Sequence, residues 1–196
     1  MTAGSLAAFR EQFAAFSKNG GGEGPGVPSW LPALRRRAFD RFTTLGFPTM
    51  RDENWHYTSV APIAESAFTV ARGAAALDAM TLAPWLIDER WSRLVFVNGQ
   101  FARELSSFSE LPAEVEITTL LDALAGDPAY VESQLAALAT VDANAFAALN
   151  TAFVTDGVVV RVPADCVVEH PLHVVWATDA NASNATTFPQ IGRAHV

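Results

Sequence analysis

Apolar residues recur through the first part of this chain with a helical period. Leu6, Phe9, Phe13 and Phe16 fall at spacings of three and four, the stripe of an amphipathic helix over residues 4–18. Gly20-Gly-Gly-Glu-Gly-Pro-Gly26 then ends the pattern. No Gly-Lys-Ser/Thr follows it, so it reads as a flexible linker over about residues 19–28 rather than a phosphate-cradling loop. Ser29 is placed to cap a second helix, with Pro32 tolerated in its first turn. Trp30, Leu34, Phe42 and Leu45 share one face of that helix. Arg35, Arg36, Arg37 and Arg41 read as its solvated side, and Gly46 as its C-terminal stop.

Further along, a helix is predicted over about 75–87, bent or shortened by Pro84. Leu94-Val-Phe-Val97 is a short buried strand, Asn98-Gly99 a hairpin turn, and Phe101 to Leu105 the returning strand. Val115 and Ile117 alternate with acids and could add a third strand. Asp127-Pro128 reads as a cap and first-turn proline, opening a helix that buries Val131, Leu135 and Leu138. Phe146, Leu149 and Phe153 mark another. After Asp156-Gly157 the period changes to two: Val158, Val160 and Val162, then Leu172, Val174 and Trp176. Short strands joined by loops suit a sandwich, a barrel or the opening coils of a β-helix. Two strands cannot bury a face by themselves, so this segment needs more chain.

Between the second helix and these elements lies Gly46-Phe-Pro-Thr-Met-Arg51-Asp-Glu53-Asn-Trp55-His56-Tyr57-Thr58. Neither a plain helix nor a plain strand needs this mixture of an arginine, acids and aromatics. Arg51 can pair with Asp52 or Glu53, or bond the carbonyls of the preceding helix end. Trp55 and Tyr57 project to one side if the loop is extended, as an aromatic anchor with polar tips. Three roles fit: docking the N-terminal helices onto the rest, offering a partner-binding surface, or holding a ligand.

Composition narrows the classes. A chain of 196 residues, half of them apolar, with 13 Phe and five Trp, can bury about two-thirds of its unfolded surface in one or two domains. A net charge of −8 argues against non-specific nucleic-acid binding. Cys166 is the single cysteine, which rules out an internal disulfide and a Cys-rich metal site. No apolar run approaches the ~18 residues of a membrane span, and no signal-peptide pattern is seen, so the cytoplasm is the expected location. The sequons at Asn181 and Asn184 carry no meaning without secretion.

Candidate chemistry is sparse. His56 has no metal-ligand partner at the right spacing, and strand alternation would send His170 and His173 to opposite faces. Cys166 has His170 four residues on, but no orienting group or oxyanion site is identifiable. Glu110, Glu114, Glu116 and Asp122 occupy solvent-like positions. Gly-x-Ser-x-Gly, the dinucleotide glycine fingerprint and His-Glu-x-x-His are all missing. The chain offers no enzyme signature.

Ile191-Gly-Arg-Ala-His-Val196 is the translation of a common sequencing-library adapter (ATC GGA AGA GCA CAC GTC). These residues are read as foreign to the protein, which is expected to continue past residue 190 in nature.

Arg51, Glu53, Trp55, Tyr57 and Thr58 together resemble the Arg-x-Glu-x-Trp-Lys/Arg-Tyr-Thr signature of the SufD family, with His56 at a position more often basic. Leu94-Val-Phe-Val-Asn-Gly99 with Phe101 is also similar to the family, as is Phe146-x-x-Leu149-Asn150-x-x-Phe153. So is Asp156-Gly-Val-Val-Val-Arg-Val-Pro163, running on to His170-Pro-Leu-His173, and all occur in the family's order. The resemblance implies an α+β chain. An N-terminal mostly helical domain with a small β-hairpin would span residues 1–155, and residues 156–190 would enter a right-handed parallel β-helix core.

It further implies a non-catalytic scaffold subunit of the SUF iron–sulfur cluster assembly complex, with a paralogous SufB-like subunit and a SufC-like ATPase as partners. No nucleic acid or membrane is involved. No cofactor belongs to this segment; the cluster belongs to the whole complex. The family's working residues lie later in its core and its C-terminal domain. No catalytic, cofactor-binding or metal-binding residue is therefore assigned here. The alternatives are SufB itself, a β-helix carbohydrate-active or acyl-transfer enzyme, and an unrelated protein-binding module built on Trp55 and Tyr57.

Overall fold

The computed structural model describes residues 3–18, 27–66, 68–70, 77–135, 137, 140–142, 144–178 and 185–186. Residues 19–26 of the expected linker, Leu138, the sequon asparagines Asn181 and Asn184, and the terminal 191–196 lie outside them. In chain order the α-helices are α1 (Ala3–Lys18), α2 (Trp30–Leu45), α3 (Ala61–Glu65), α4 (Ala79–Leu82), α5 (Leu120–Gly126), α6 (Pro128–Gln134) and α7 (Ala145–Ala152). The strands are β1 (Thr69–Val70), β2 (Arg93–Val97), β3 (Gln100–Phe101), β4 (Glu116–Thr119), β5 (Val158–Arg161), β6 (His173–Ala177) and β7 (Ala185–Thr186). The fold class is α+β, as expected. Two compact units arise from interleaved segments: Met1–Thr69 with Leu124–Thr155, and Val70–Ala123 with Asp156–Thr187.

The first unit is helical and aromatic. The α1 stripe is as the spacing predicts, with Phe9 and Phe16 buried. Phe13 stacks on Phe39 with centroids 4.1 Å apart and meets Phe153 edge-on at 5.6 Å. Phe9 packs edge-on against Phe42 and Phe47. Each such pair adds ~0.5–1.5 kcal/mol beyond area burial. Ala38, Ala148 and Ala152 are fully buried where α2 and α7 pack, and their small side chains let the two backbones approach.

Asn144 caps α7, accepting from the N–H groups of Phe146 at 2.9 Å and Ala147 at 3.1 Å. Asp127 caps α6 through the Tyr130 N–H at 3.0 Å, with Pro128 in the first turn as predicted.

Two expectations for α2 fail. Ser29 is itself in the α-region and makes no side-chain cap; the Leu31 N–H instead bonds the Pro28 carbonyl at 3.1 Å. The buried face is Leu31, Arg35, Ala38, Phe39 and Phe42, while Leu45 is exposed. The buried stripe is rotated from the predicted one, because small Ala38 lies at the close contact with α7 while the larger Trp30 and Leu34 are only half-buried.

The second unit is built on a three-stranded sheet in the order β3-β2-β6. β2 and β3 form the predicted hairpin, antiparallel, with Asn98 at φ 51° and Gly99 at φ 80°. Two positive φ values in succession are what a primed turn requires, and Asn-Gly tolerates them best. β6 pairs with β2 in parallel, Arg93 opposite His173 through Val97 opposite Ala177. Val95, Val97, Ala102, Leu105 and Leu82 form the core beneath it, packed by Val175 and Ala177. Phe96, opposite Phe101 on β3 and Trp176 on β6, lies 5.7 Å from each ring, an aromatic row crossing the three strands.

Other expectations are modified here. The third strand, β4, forms but pairs antiparallel with β5, Glu116 opposite Arg161. The returning strand stops at Phe101 and gives way to a 3-10 turn over Arg103–Leu105. The helix at 75–87 is confined, among the described residues, to α4 and a 3-10 turn at Ala83–Trp85, where Pro84 removes a donor. The strands after residue 156 pair back to earlier ones, β5 to β4, β6 to β2 and β7 to β1, rather than with each other, so no stacked coil of a β-helix forms among the described residues.

Candidate functional site

The 46–58 loop is a fixed turn and not an extended segment. Gly46, at φ 66°, closes α2 by donating to the Phe42 carbonyl at 2.8 Å. Phe47 then turns inward onto Phe42 at 5.2 Å and Phe146 at 5.9 Å. Asp52 accepts from the Thr49 N–H at 2.6 Å and the Thr49 hydroxyl at 3.0 Å. These bonds, the backbone one foremost, hold its carboxyl below the usual carboxylate range. Asp52 thus turns to Thr49 rather than to Arg51. A 3-10 turn over Glu53–Trp55 follows, and Trp55 rests on Phe146 at 5.3 Å.

Tyr57 does not join Trp55 on one side, contrary to the extended reading. It is 94% exposed, with His56 edge-on at 4.7 Å. The His56 ring Nδ1 lies 3.2 Å from the Met50 carbonyl. Phe47 and Trp55 therefore anchor the loop, and Met50, Arg51, Glu53 and Tyr57 face outward. Methionine, arginine and tyrosine on a pre-formed turn are the inventory of a protein-contact surface. The arrangement holds no nucleophile–base pair.

Arg35, assigned to the solvated face, is only 6% exposed. Its Nε and Nη2 both donate to the Val154 carbonyl, at 2.9 and 2.5 Å, just past the C-terminus of α7. The Phe16 ring lies over its guanidinium at 5.6 Å, and Nη1 has no partner. Burial pushes its pKa down to about 10. A cation at a helix C-terminus is favoured by the free carbonyls there. The signal was available: Leu31, Arg35, Ala38, Phe39 and Phe42 have helical spacing, with the arginine in the apolar series. Arg41 likewise is tied down, donating to the Asp142 carbonyl at 2.9 and 2.5 Å.

In the β unit, His170 precedes β6 and lies 3.9 Å from Glu110, both half exposed. His173 opens β6 with its Nδ1 buried and unpartnered. Cys166 is a free, half-buried thiol in the preceding loop. Glu110, Glu114, Glu116 and Asp122 are exposed, as their spacing predicts. Among the described residues no group of three or more His, Cys, Asp or Glu side chains could hold a metal ion. No described helix is long and apolar enough to cross a membrane.

A family model for the SufBD protein N-terminal region matches residues 25–174. An iron–sulfur cluster assembly SufBD family protein of Synechocystis sp. is 31% identical over 165 residues, which is 83% of this chain and 36% of the relative. The chain thus spans little more than a third of that relative's length. The matched region takes in α2 with Arg35, the whole 46–58 loop, α7 and the β2–β3 hairpin. The chain belongs to the SufBD family.

Proposed function

We propose that this chain is the N-terminal region of a SufD-type scaffold subunit in an iron–sulfur cluster assembly complex, with no catalysis of its own. The observation that carries the reading is the loop of Arg51, Glu53, Trp55, Tyr57 and Thr58, set inside a family match over residues 25–174. That the Synechocystis relative is described as an iron–sulfur cluster assembly protein supports the pathway. The loop favours the SufD type over SufB. On this reading a parallel β-helix core takes over from the strands near residue 156, and the partners are a SufB-like subunit and a SufC-like ATPase. The cluster is held by the complex, and the setting is cytoplasmic.

The test begins with the source gene, read past codon 190. Its full product, tagged and co-expressed with SufB-like and SufC-like proteins, should purify with both and support cluster loading of an apo-ferredoxin. A product that purifies with neither, or that turns over a sugar or acyl donor alone, would refute the scaffold assignment.

A further inference from the structure

We propose that Met80, Trp85 and Ile87 form a docking face for a partner protein's amphipathic helix that carries lysine or arginine beside its apolar stripe. Among the described residues these are three of the five most exposed large apolar side chains, at 84%, 76% and 73%, and they lie within eight residues. Met80 and the exposed Pro84 are four apart across α4 and the 3-10 turn that continues it, so they share one side. Leu86 is extended and half-buried, which sends Trp85 and Ile87 to the opposite, outer side. Apolar residues scattered singly on a surface are ordinary, whereas a clustered set marks a contact site.

The segment is held in place without these side chains. Leu82, on the other side of α4, is buried in the core with Val95 and Leu105. Asp78 caps α4, its Oδ1 accepting from the Thr81 N–H at 2.8 Å and the Thr81 hydroxyl at 2.7 Å. Beyond Ile87, the Asp88 carboxylate accepts from the Arg90 N–H at 2.9 Å and from Arg90 Nη2 at 2.8 Å. A face fixed at both ends loses little freedom on binding, and tryptophan and methionine are enriched at interfaces. Its backbone bonds to itself, the Leu82 N–H to the Asp78 carbonyl and the Leu86 N–H to the Ala83 carbonyl, so it offers no edge to a partner strand. It offers side-chain packing, which a helix can meet. Charge then chooses among helices. Asp78 and Glu89 are exposed acids flanking the face, and the Arg90 guanidinium is occupied by Asp88. Val70–Ala123 and Asp156–Thr187 together carry twelve Asp and Glu against five Arg, −7 of the chain's −8. The same face of a second copy would set acids against acids, and an anionic lipid surface would be repelled likewise. Lysine or arginine beside the apolar stripe turns that field into attraction.

The experiment titrates the whole chain, with methionine methyls and tryptophan indoles labelled for NMR, with two synthetic peptides. Both repeat leucine at helical spacing over about 18 residues, one with lysine and one with glutamate on the polar face. The expected result is a saturable shift of the Met80 and Trp85 signals, at roughly tenfold or more lower concentration for the lysine peptide. Trp85→Ser and Ile87→Ser should each weaken its binding roughly tenfold, with the melting temperature unchanged because both side chains stand in water. If a variant fails to fold, the comparison of the two peptides on the parent chain decides alone. Equal action of the two peptides, or no shift with either, overturns the proposal. So does lysine-peptide binding that Trp85→Ser leaves intact, since charge alone would then hold it. Signals that move with chain concentration would assign the face to a second copy, and signals moved by phosphatidylcholine vesicles would assign it to a lipid surface; either result overturns the proposal. A full gene product in which Met80 and Trp85 no longer respond to the lysine peptide overturns it as well, because its later segments would then cover the face.

Discussion

Replacing Arg35 by alanine and by methionine separates the packing of its stem from the electrostatics of its head. Both variants remove the charge, and both leave the Val154 carbonyl without the donors that now sit 2.9 and 2.5 Å away. An orphaned buried acceptor costs ~1–3 kcal/mol, and releasing a buried charge from its desolvation offsets a comparable amount. Those contributions are common to the two variants and cancel between them. What differs is the aliphatic stem, two to three methylenes that methionine retains and alanine loses, worth ~0.8 kcal/mol each. Arg35→Met should therefore lie within ~1 kcal/mol of the parent, and Arg35→Ala about 2 kcal/mol below Arg35→Met. With a urea m-value of ~1–3 kcal/mol/M, that gap is a shift of about 1 M in midpoint. Urea unfolding followed by far-UV circular dichroism reads it, because α1, α2 and α7 all surround this residue. A methionine variant as unstable as the alanine variant would show that the stem is not what the site packs. One more than ~2 kcal/mol below the parent would show that the charge itself is net stabilising.

Trp55→Ala removes a half-buried ring that rests on Phe146 and should cost about 1–2 kcal/mol, whereas Tyr57→Ala should stay within ~0.5 kcal/mol, since its ring touches little besides His56; thermal melts of the pair compare them directly. Asp156 accepts from the Phe101 N–H at 2.8 Å and the Gly157 N–H at 2.7 Å, so Asp156→Ala should lower stability by about 2 kcal/mol in urea titration and Asp156→Asn by less. Asp88, hydrogen-bonded by Arg90, has its carboxyl pulled from 3.8 to about 2. A depressed acid contributes stability in full above the unfolded value and loses it as pH falls through the folded one. Asp88→Asn should therefore flatten the acid limb of the stability curve between pH 3.8 and about 2, and a carboxyl 13C titration with its midpoint at 3.8 would contradict the pairing.

Local signals in the sequence carried far. Phe9, Phe13 and Phe16 marked α1, Asn98-Gly99 marked the hairpin, and Asp127-Pro128 marked the start of α6, because each depends on chemistry within a few residues. What stayed hidden depends on distant chain. The pairing of β4 with β5 and of β6 with β2 joins segments whose alternation says nothing about which edge they seek. Charge alone assigns Arg35 to the solvated face, but its acceptor, the Val154 carbonyl, is supplied by a segment remote in sequence and lets it be buried. In the 46–58 loop, composition identified a specified junction. The inward turn of Trp55 and outward turn of Tyr57 followed from a Thr49–Asp52 turn that the extended reading did not include.

The interleaving of the two units sets a schedule for synthesis. The helices before Thr69 cannot complete their core until Leu124–Thr155 has been made, and β2 waits for β6. At ~5–20 residues per second, the aromatic rings of α1 and α2 stand without Phe153 and α7 for on the order of ten seconds on the ribosome. Contacts this distant in sequence slow folding through loop closure. Phe9, Phe13, Phe39 and Phe42 can pack on one another during that interval, α1 against α2, before the rest arrives. The same pairing that fills the finished core thus shields a nascent chain from aggregation while its later segments are still being translated.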